Sequence, residues 1–295
     1  MERDQAEQLR IRIERKKDVA KQAQVIGIAS GKGGVGKSAF CVNFSLALGE
    51  LGKKVLIIDL DVGMGNIEQL FGMHATEHIA DALKNQFSFR EIKTEVSPNL
   101  SFIAGGTGLS KQFRLDDRSL HVFLTQLDSV KSEFDFILFD FGAGASEDML
   151  HFMLAMNRLI LITTPDPTAI SDSYSLMKLV YTMKRDLEIS CVVNQTFNRR
   201  EGTDAWQRLS LVAEKFLGAS PSWLASLPRD QNLVMSVRKQ RPCMLYSPKA
   251  TYCMTMRFLV RAFIVQCGQQ LKAKENMSFS DKVKKYLHLI RRNKK

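Results

Sequence analysis

The chain has little of what marks a secreted or membrane-spanning protein. Its 295 residues open Met1-Glu2-Arg3-Asp4, with no apolar run behind a basic start, which predicts no secretory signal. The longest apolar stretches, such as Leu159-Ile160-Leu161-Ile162, are of strand length; crossing a bilayer takes about 20 apolar residues. The five cysteines, Cys41, Cys191, Cys243, Cys253 and Cys267, form no Cys-x-x-Cys pair. That spacing supports neither a zinc ribbon nor a bridging iron–sulfur site, and it predicts free thiols in a reducing cytoplasm. There is no internal repeat and no low-complexity tract.

A hydrophobic fraction of 45% is enough for a substantial core. The net charge of +11 is unevenly placed. Phe279–Lys295 carries seven Lys/Arg against one Asp, and residues 1–24 carry seven against five acids, leaving about +3 for everything between. Such a tail calls for an anionic partner, and the body by this count is only weakly basic.

Apolar runs at Gln24–Ser30, Lys54–Leu60, Phe134–Phe139, Leu159–Thr163 and Ile189–Val193 alternate with helical stretches at Ala39–Leu51, Asp117–Val130 and Ala169–Lys184. The alternation predicts an α/β domain, a mostly parallel sheet with helices on both faces. Ligands of such folds bind at the carboxyl ends of the strands. The segments at Gly31, Asp61, Asp140, Asn194 and Pro228 are therefore expected to meet at one edge. Residues 1–22 read as a charged helix, 23–272 as the catalytic domain, and 273–295 as a linker with a terminal helix.

After the first strand comes Gly31-Lys32-Gly33-Gly34-Val35-Gly36-Lys37-Ser38. This is a phosphate-binding loop in its required strand–loop–helix context. Its glycines let backbone N–H groups face phosphate oxygens, Lys37 reaches the terminal phosphates, and Ser38 ligates Mg²⁺. At the end of the second strand, Asp59 and Asp61 share a strand face and can both project toward the Mg²⁺–phosphate region, which makes Asp59 a candidate on the metal side with Ser38.

The additional lysine, Lys32, makes the loop resemble the deviant phosphate-binding motif of the MinD/ParA family of P-loop ATPases. The resemblance implies that Lys32 reaches across an ATP-dependent homodimer to neutralise charge on the partner's phosphoryl group. It implies that Asp61 orients the attacking water, and that Asp140 holds the metal through water. Phe141 stands where a small residue is expected, beside the second switch-like run Gly142-Ala143-Gly144. Asn194-Gln195-Thr196-Phe197 lacks the Asn-Lys-x-Asp of a GTPase. Asn194 with Pro228, Arg229 and Asp230 lies where the resembling ATPases hold adenine, which favours ATP.

The N-terminal Asp4-Gln5-Ala6-Glu7-Gln8-Leu9-Arg10, together with Val62–Asn66, Thr164–Ile170 and Val237–Pro242, is similar to the branch of that family which sets flagellar number and placement, the FlhG branch. That likeness implies that Asp4, Gln5, Leu9 and Arg10 stimulate a flagellar signal-recognition-type GTPase, and that flagellar switch-complex (C-ring) proteins are partners. In the tail, Phe279, Val283, Tyr286, Leu287 and Ile290 draw one apolar stripe, flanked by Lys282, Lys284 and Lys285. A basic amphipathic helix of this kind is expected to bind an anionic membrane surface, which predicts a cytoplasmic protein peripheral to the cell membrane. A docked helix shows the same pattern. The competing readings are a cell-division ATPase, a DNA-partitioning ATPase (disfavoured by the weakly charged body) and a non-catalytic nucleotide-gated scaffold.

Overall fold

The inner strands of the central sheet are apolar along most of their length, because they are covered on both sides, while the edge strands are only partly buried. In the computed structural model, which describes residues 23–61, 66–84, 87–106, 117–144, 147–270 and 277–292, the strands are β1 (Gln24–Ser30), β2 (Val55–Leu60), β3 (Thr94–Ser97), β4 (Leu100–Ile103), β5 (Phe136–Ala143), β6 (Arg158–Thr163), β7 (Ile189–Thr196) and β8 (Ser222–Pro228). Their spatial order is β3-β4-β2-β5-β1-β6-β7-β8. All neighbours run parallel except the β3–β4 hairpin at one edge. The sequence reading missed that hairpin, since its strands have only four residues each. It also stopped β5 and β7 short: Asp140 and Asn194 lie inside strands, not in the loops after them.

The helices are α1 (Lys37–Glu50), α2 (Asn66–Phe71), α3 (Ile79–Leu83), α4 (Phe89–Ile92), α5 (Asp117–Val130), α6 (Glu147–Ala155), α7 (Pro167–Met183), α8 (Arg199–Leu217), α9 (Gln231–Arg238), α10 (Cys243–Tyr246), α11 (Thr251–Gln270) and α12 (Phe279–Arg292). Alternate strand residues feed two cores. One holds Leu56, Ile58, Ile137 and Phe139 with α5, α6, α7 and α8. The other holds Val55, Ile57, Leu138 and Ile160 with α1, α2, α10 and α11. Helix α1 is buried almost all round: Phe44 stacks on Phe40 at 5.2 Å and meets Phe263 of α11 edge-on at 5.1 Å.

The chain leaves β1 toward β2 on one side, returns to β5, then crosses β1 to reach β6 and the other edge. Connections on the two sides of β1 thus diverge, and a crevice opens at the carboxyl end of β1. The first glycine-rich loop lies there.

The terminal helix α12 is not the separate element expected from the sequence. Phe279, Val283 and Tyr286 are buried in the core that α5 and α6 also line, and Leu287 packs against it. Phe279 stacks on Phe139 at 5.5 Å, and the Ser280 hydroxyl donates to Asp128 of α5 at 2.8 Å. The stripe assigned to a membrane is covered by the protein's own domain in this conformation. The Ile290 side chain and residues 1–22, with Asp4, Gln5, Leu9 and Arg10, lie outside what the structure describes.

Candidate functional site

Alternation along β5 explains how the site is assembled. Ile137, Phe139 and Phe141 face one core, so Leu138 and Asp140 face α1. Asp140 is the last of these before the strand ends, and Lys37 is the first residue of α1. The Lys37 Nζ donates to Asp140 Oδ1 at 2.7 Å and sits 3.8 Å from Asp61 Oδ2 and 3.3 Å from the Ser38 hydroxyl. Burial pushes the Lys37 pKa down, but Asp140 and then Asp61 outweigh it and hold the ammonium above its usual range. Burial pushes Asp140 up, against the opposing pull of Lys37. Phe141 therefore does not disturb the site. It points into the opposite core, against Gly27, where any side chain on residue 27 would strike its ring.

The loop is shaped for anions. Gly34 and Gly36 take left-handed backbone angles, φ 78° and 87°, which side-chain-bearing residues adopt at a cost. At Gly36 a Cβ would also lie 2.5 Å from the Asn194 amide. Gly31 packs so closely on the backbone of Asp172 in α7 that no Cβ fits. Asn194 donates to the Val35 carbonyl at 2.8 Å and Gln195, itself left-handed at φ 60°, to that of Gly34 at 3.2 Å. The end of β7 thus braces the loop from behind.

Asp59, read from the sequence as a metal-side carboxylate, also braces the backbone. Its two oxygens accept the backbone N–H of Asp61 at 2.9 Å and of Ile67 at 3.4 Å. Residues 62–65, between these two, lie outside the described residues. Burial, and then the nearby Asp140, raise the Asp59 pKa to about 8. Asp61 is partly exposed and oriented by the Asn66 amide at 3.1 Å. The Asn66 brace was present in the sequence run but carried no signal of its role.

Two buried polar atoms are left without a hydrogen bond here, Asp140 Oδ2 and Asn194 Oδ1. A buried carboxylate oxygen beside a serine hydroxyl and a lysine suits a hydrated divalent cation. Ser38 and Asp140 fit Mg²⁺ on that ground. On the base side, Arg229 follows β8, bonds the Thr196 carbonyl through its N–H at 2.8 Å, and lies 5.5 Å from the exposed Phe197 ring. Asp230 accepts from the Asn232 and Tyr252 N–H groups at 2.8 and 3.1 Å. Burial raises its pKa, and these bonds outweigh it and lower the net value.

Lys32 stands apart from this cluster. Its ammonium donates to the Thr168 hydroxyl at 2.6 Å and lies 4.0 Å from Asp166, with the side chain 41% exposed. These partners at the start of α7 were not picked out from the sequence as lysine contacts. The structure brings Lys37, Ser38, Asp59, Asp61 and Asp140 together, sets Asn194 against the loop, places the 228–230 segment next to the end of β7, and leaves Lys32 at the rim.

Comparison with known proteins agrees with this geometry. The AAA domain family matches residues 23–192, more than half of the chain. The chain belongs to that family, as a P-loop ATPase of MinD/ParA type. It is similar to the flagellum site-determining protein YlxH of Helicobacter pylori, 29% identical over 89% of this chain and 90% of that one. It is also similar to the antiactivator FleN of Pseudomonas aeruginosa, 26% identical over 74% and 78%. Among solved structures, the septum site-determining protein MinD with Mg-ADP from Pyrococcus horikoshii is 25% identical with a TM-score of 0.69, covering 86% of this chain and all of that one. The MinC:MinD complex from Aquifex aeolicus shares the fold at a TM-score of 0.67 and 22% identity, over 82% of this chain and 96% of that one. Among the described residues, no helix is long and apolar enough to cross a membrane.

Proposed function

We propose that this MinD/ParA-type chain is an ATP-hydrolysing dimerisation switch that sets flagellar number and placement. Support for the flagellar role comes from the names of its YlxH and FleN relatives and from the segment Asp4–Arg10. The observation that carries the switch is Lys32. It is half-exposed and bonded to Thr168, so it adds nothing to its own Lys37–Asp140 cluster. A cation held at the rim can serve the site of a second copy.

In this reading Lys37 exchanges Asp140 for the terminal phosphates of ATP, and Gly33–Ser38 N–H groups face the phosphate oxygens. Asp61 orients the attacking water. Ser38 and, through water, Asp140 would hold Mg²⁺, which would supply charge neutralisation at the phosphates. Lys32 from the partner copy stabilises the transferred phosphoryl group, so hydrolysis waits for dimerisation. Membrane binding requires α12 to leave its seat and turn its stripe outward. The ATP dimer would expose two such helices, and pairing them raises avidity on the order of 10²–10⁴.

Sizing by light scattering tests the switch. Asp61→Ala should be dimeric with ATP and monomeric with ADP. Lys32→Ala should lose about a hundredfold or more in hydrolysis, with nucleotide affinity nearly unchanged. A monomer in both nucleotides, at saturation, would sink the proposal. A peptide of residues 1–22 should accelerate GTP hydrolysis by the flagellar GTPase, and its Gln5→Ala form should not; equal stimulation by both would remove the activator role.

A further inference from the structure

The small net charge between the termini conceals a segregated block. Residues 229–261 hold seven Lys/Arg and one Asp, a local charge of +6. They form α9, α10 and the first half of α11. The acid, Asp230, is spent on backbone N–H groups. Arg257 is tied to Glu50 at 2.7 Å and to the Pro248 carbonyl at 2.6 Å. Arg238, Lys239, Arg241, Lys249 and Arg261 are exposed, and none forms an ion pair among the described residues.

These cations do not stand on a purely polar surface. Between them Val237 is 43%, Tyr246 38%, Met254 46% and Phe258 67% exposed. Along α11, Met254, Phe258 and Val265 follow helical spacing on the side turned away from the core, while Tyr252, Met256, Leu259, Val260 and Phe263 face inward. The Arg257 guanidinium bridges from Glu50 to Pro248, which fixes the Lys249 loop against this helix.

The basic turn is also held in a costly shape. Gln240 is left-handed at φ 49°, and its carbonyl occupies the space a Cβ on Gly72 would need. Backbone bonds from Gln240 to Val237 and from Arg241 to Ser236, each 3.0 Å, close the turn. A non-glycine residue in this region costs roughly 1–3 kcal/mol and persists where the surroundings enforce it. Here the enforced shape keeps Arg238, Lys239 and Arg241 all turned to solvent.

We propose that the α9–α11 face is a docking surface for an acidic amphipathic segment of another protein. Uncompensated positive charge sets the sign of the partner. The mixture of Tyr, Phe, Met and Arg is the composition of protein interface cores. A phosphate-binding surface would interleave its cations with polar groups and would not leave Phe258 and Met254 bare.

Fluorescence anisotropy with labelled probes tests this. The probes are a helical peptide with Asp/Glu on one face and Leu/Phe on the other, the same peptide with Ser replacing the apolar residues, a short DNA duplex, and phosphatidylserine vesicles. The amphipathic acidic peptide should bind best. Its affinity should fall about tenfold or more in the triple variant R238E/K239E/R241E, and again in Phe258→Ser. All four substituted positions are exposed, and unchanged nucleotide binding by each variant checks that it is folded. Tighter binding to duplex DNA or to vesicles, equal binding of the Ser-substituted peptide, or an affinity untouched by both variants would each overturn the proposal.

Discussion

The last two helices of the chain have opposite fates. Helix α12 has a sharply divided sequence, with one apolar stripe among lysines, and its stripe is buried: Val283 is wholly inaccessible, and Phe279 and Tyr286 nearly so. Helix α11 has no such clean division, since one side is needed for the core beneath α1, yet it leaves Phe258 and Val265 in solvent. The two helices lie on opposite faces of the sheet. An amphipathic pattern says that a helix has a sticky side. It does not say whether that side meets the same domain, a membrane or a partner. The easily noticed stripe is the satisfied one, and the one diluted by core residues remains available.

The contrast is broken most strongly at Val283. Val283→Glu puts a carboxylate at a fully buried position on α12. It should cost about 3 kcal/mol or more, or detach the helix, read as a lower urea midpoint and faster proteolysis near residue 277. An unchanged midpoint and unchanged proteolysis would mean that α12 is not seated as described. The same variant should fail to bind anionic vesicles even when α12 is free.

A matched pair sharpens the comparison. Tyr286→Ser should cost about 2–3 kcal/mol, because the ring fills the seat between α12 and Lys184, whose ammonium lies 5.1 Å from its centroid. Phe258→Ser should move stability by no more than about 0.5 kcal/mol, because the ring it removes is 67% exposed. Equal losses would show that α11 is covered in the free protein. The smallest expected effect on folding is Lys285→Glu, on the outer side of α12. It should leave the urea midpoint within about 0.5 kcal/mol, while vesicle binding with ATP falls several-fold, since each basic residue adds about 1 kcal/mol near an anionic surface. Vesicle binding unaffected by Lys285→Glu would argue that this helix does not carry membrane contact.

Much of the candidate site's assembly was legible because it depends on short-range spacing. The loop from Gly31 to Ser38 sits between a strand and a helix, and alternation alone sends Asp140 toward α1. The bracing contacts were not legible. Asp59 holding the N–H groups of Asp61 and Ile67 looks, in sequence, like another metal-side carboxylate. The Lys32–Thr168 bond joins residues 136 positions apart. Phe141 read as a departure until Gly27 was seen beneath it. The charge count misled for a related reason: a net value of +3 over the body averages a remainder of −3 with the +6 block at 229–261.

By itself the sequence determined the class of fold, the phosphate loop with its two lysines, and the existence of an apolar stripe at the C-terminus. Those follow from periodicity and local backbone geometry, which neighbouring residues dictate. Tertiary structure alone decided that the α12 stripe is covered, that the α11 stripe is bare, and that Arg238, Lys239 and Arg241 share a strained turn against Gly72. Burial is a property of what packs on a surface, and the groups that cover or spare these helices come from chain segments far away in sequence.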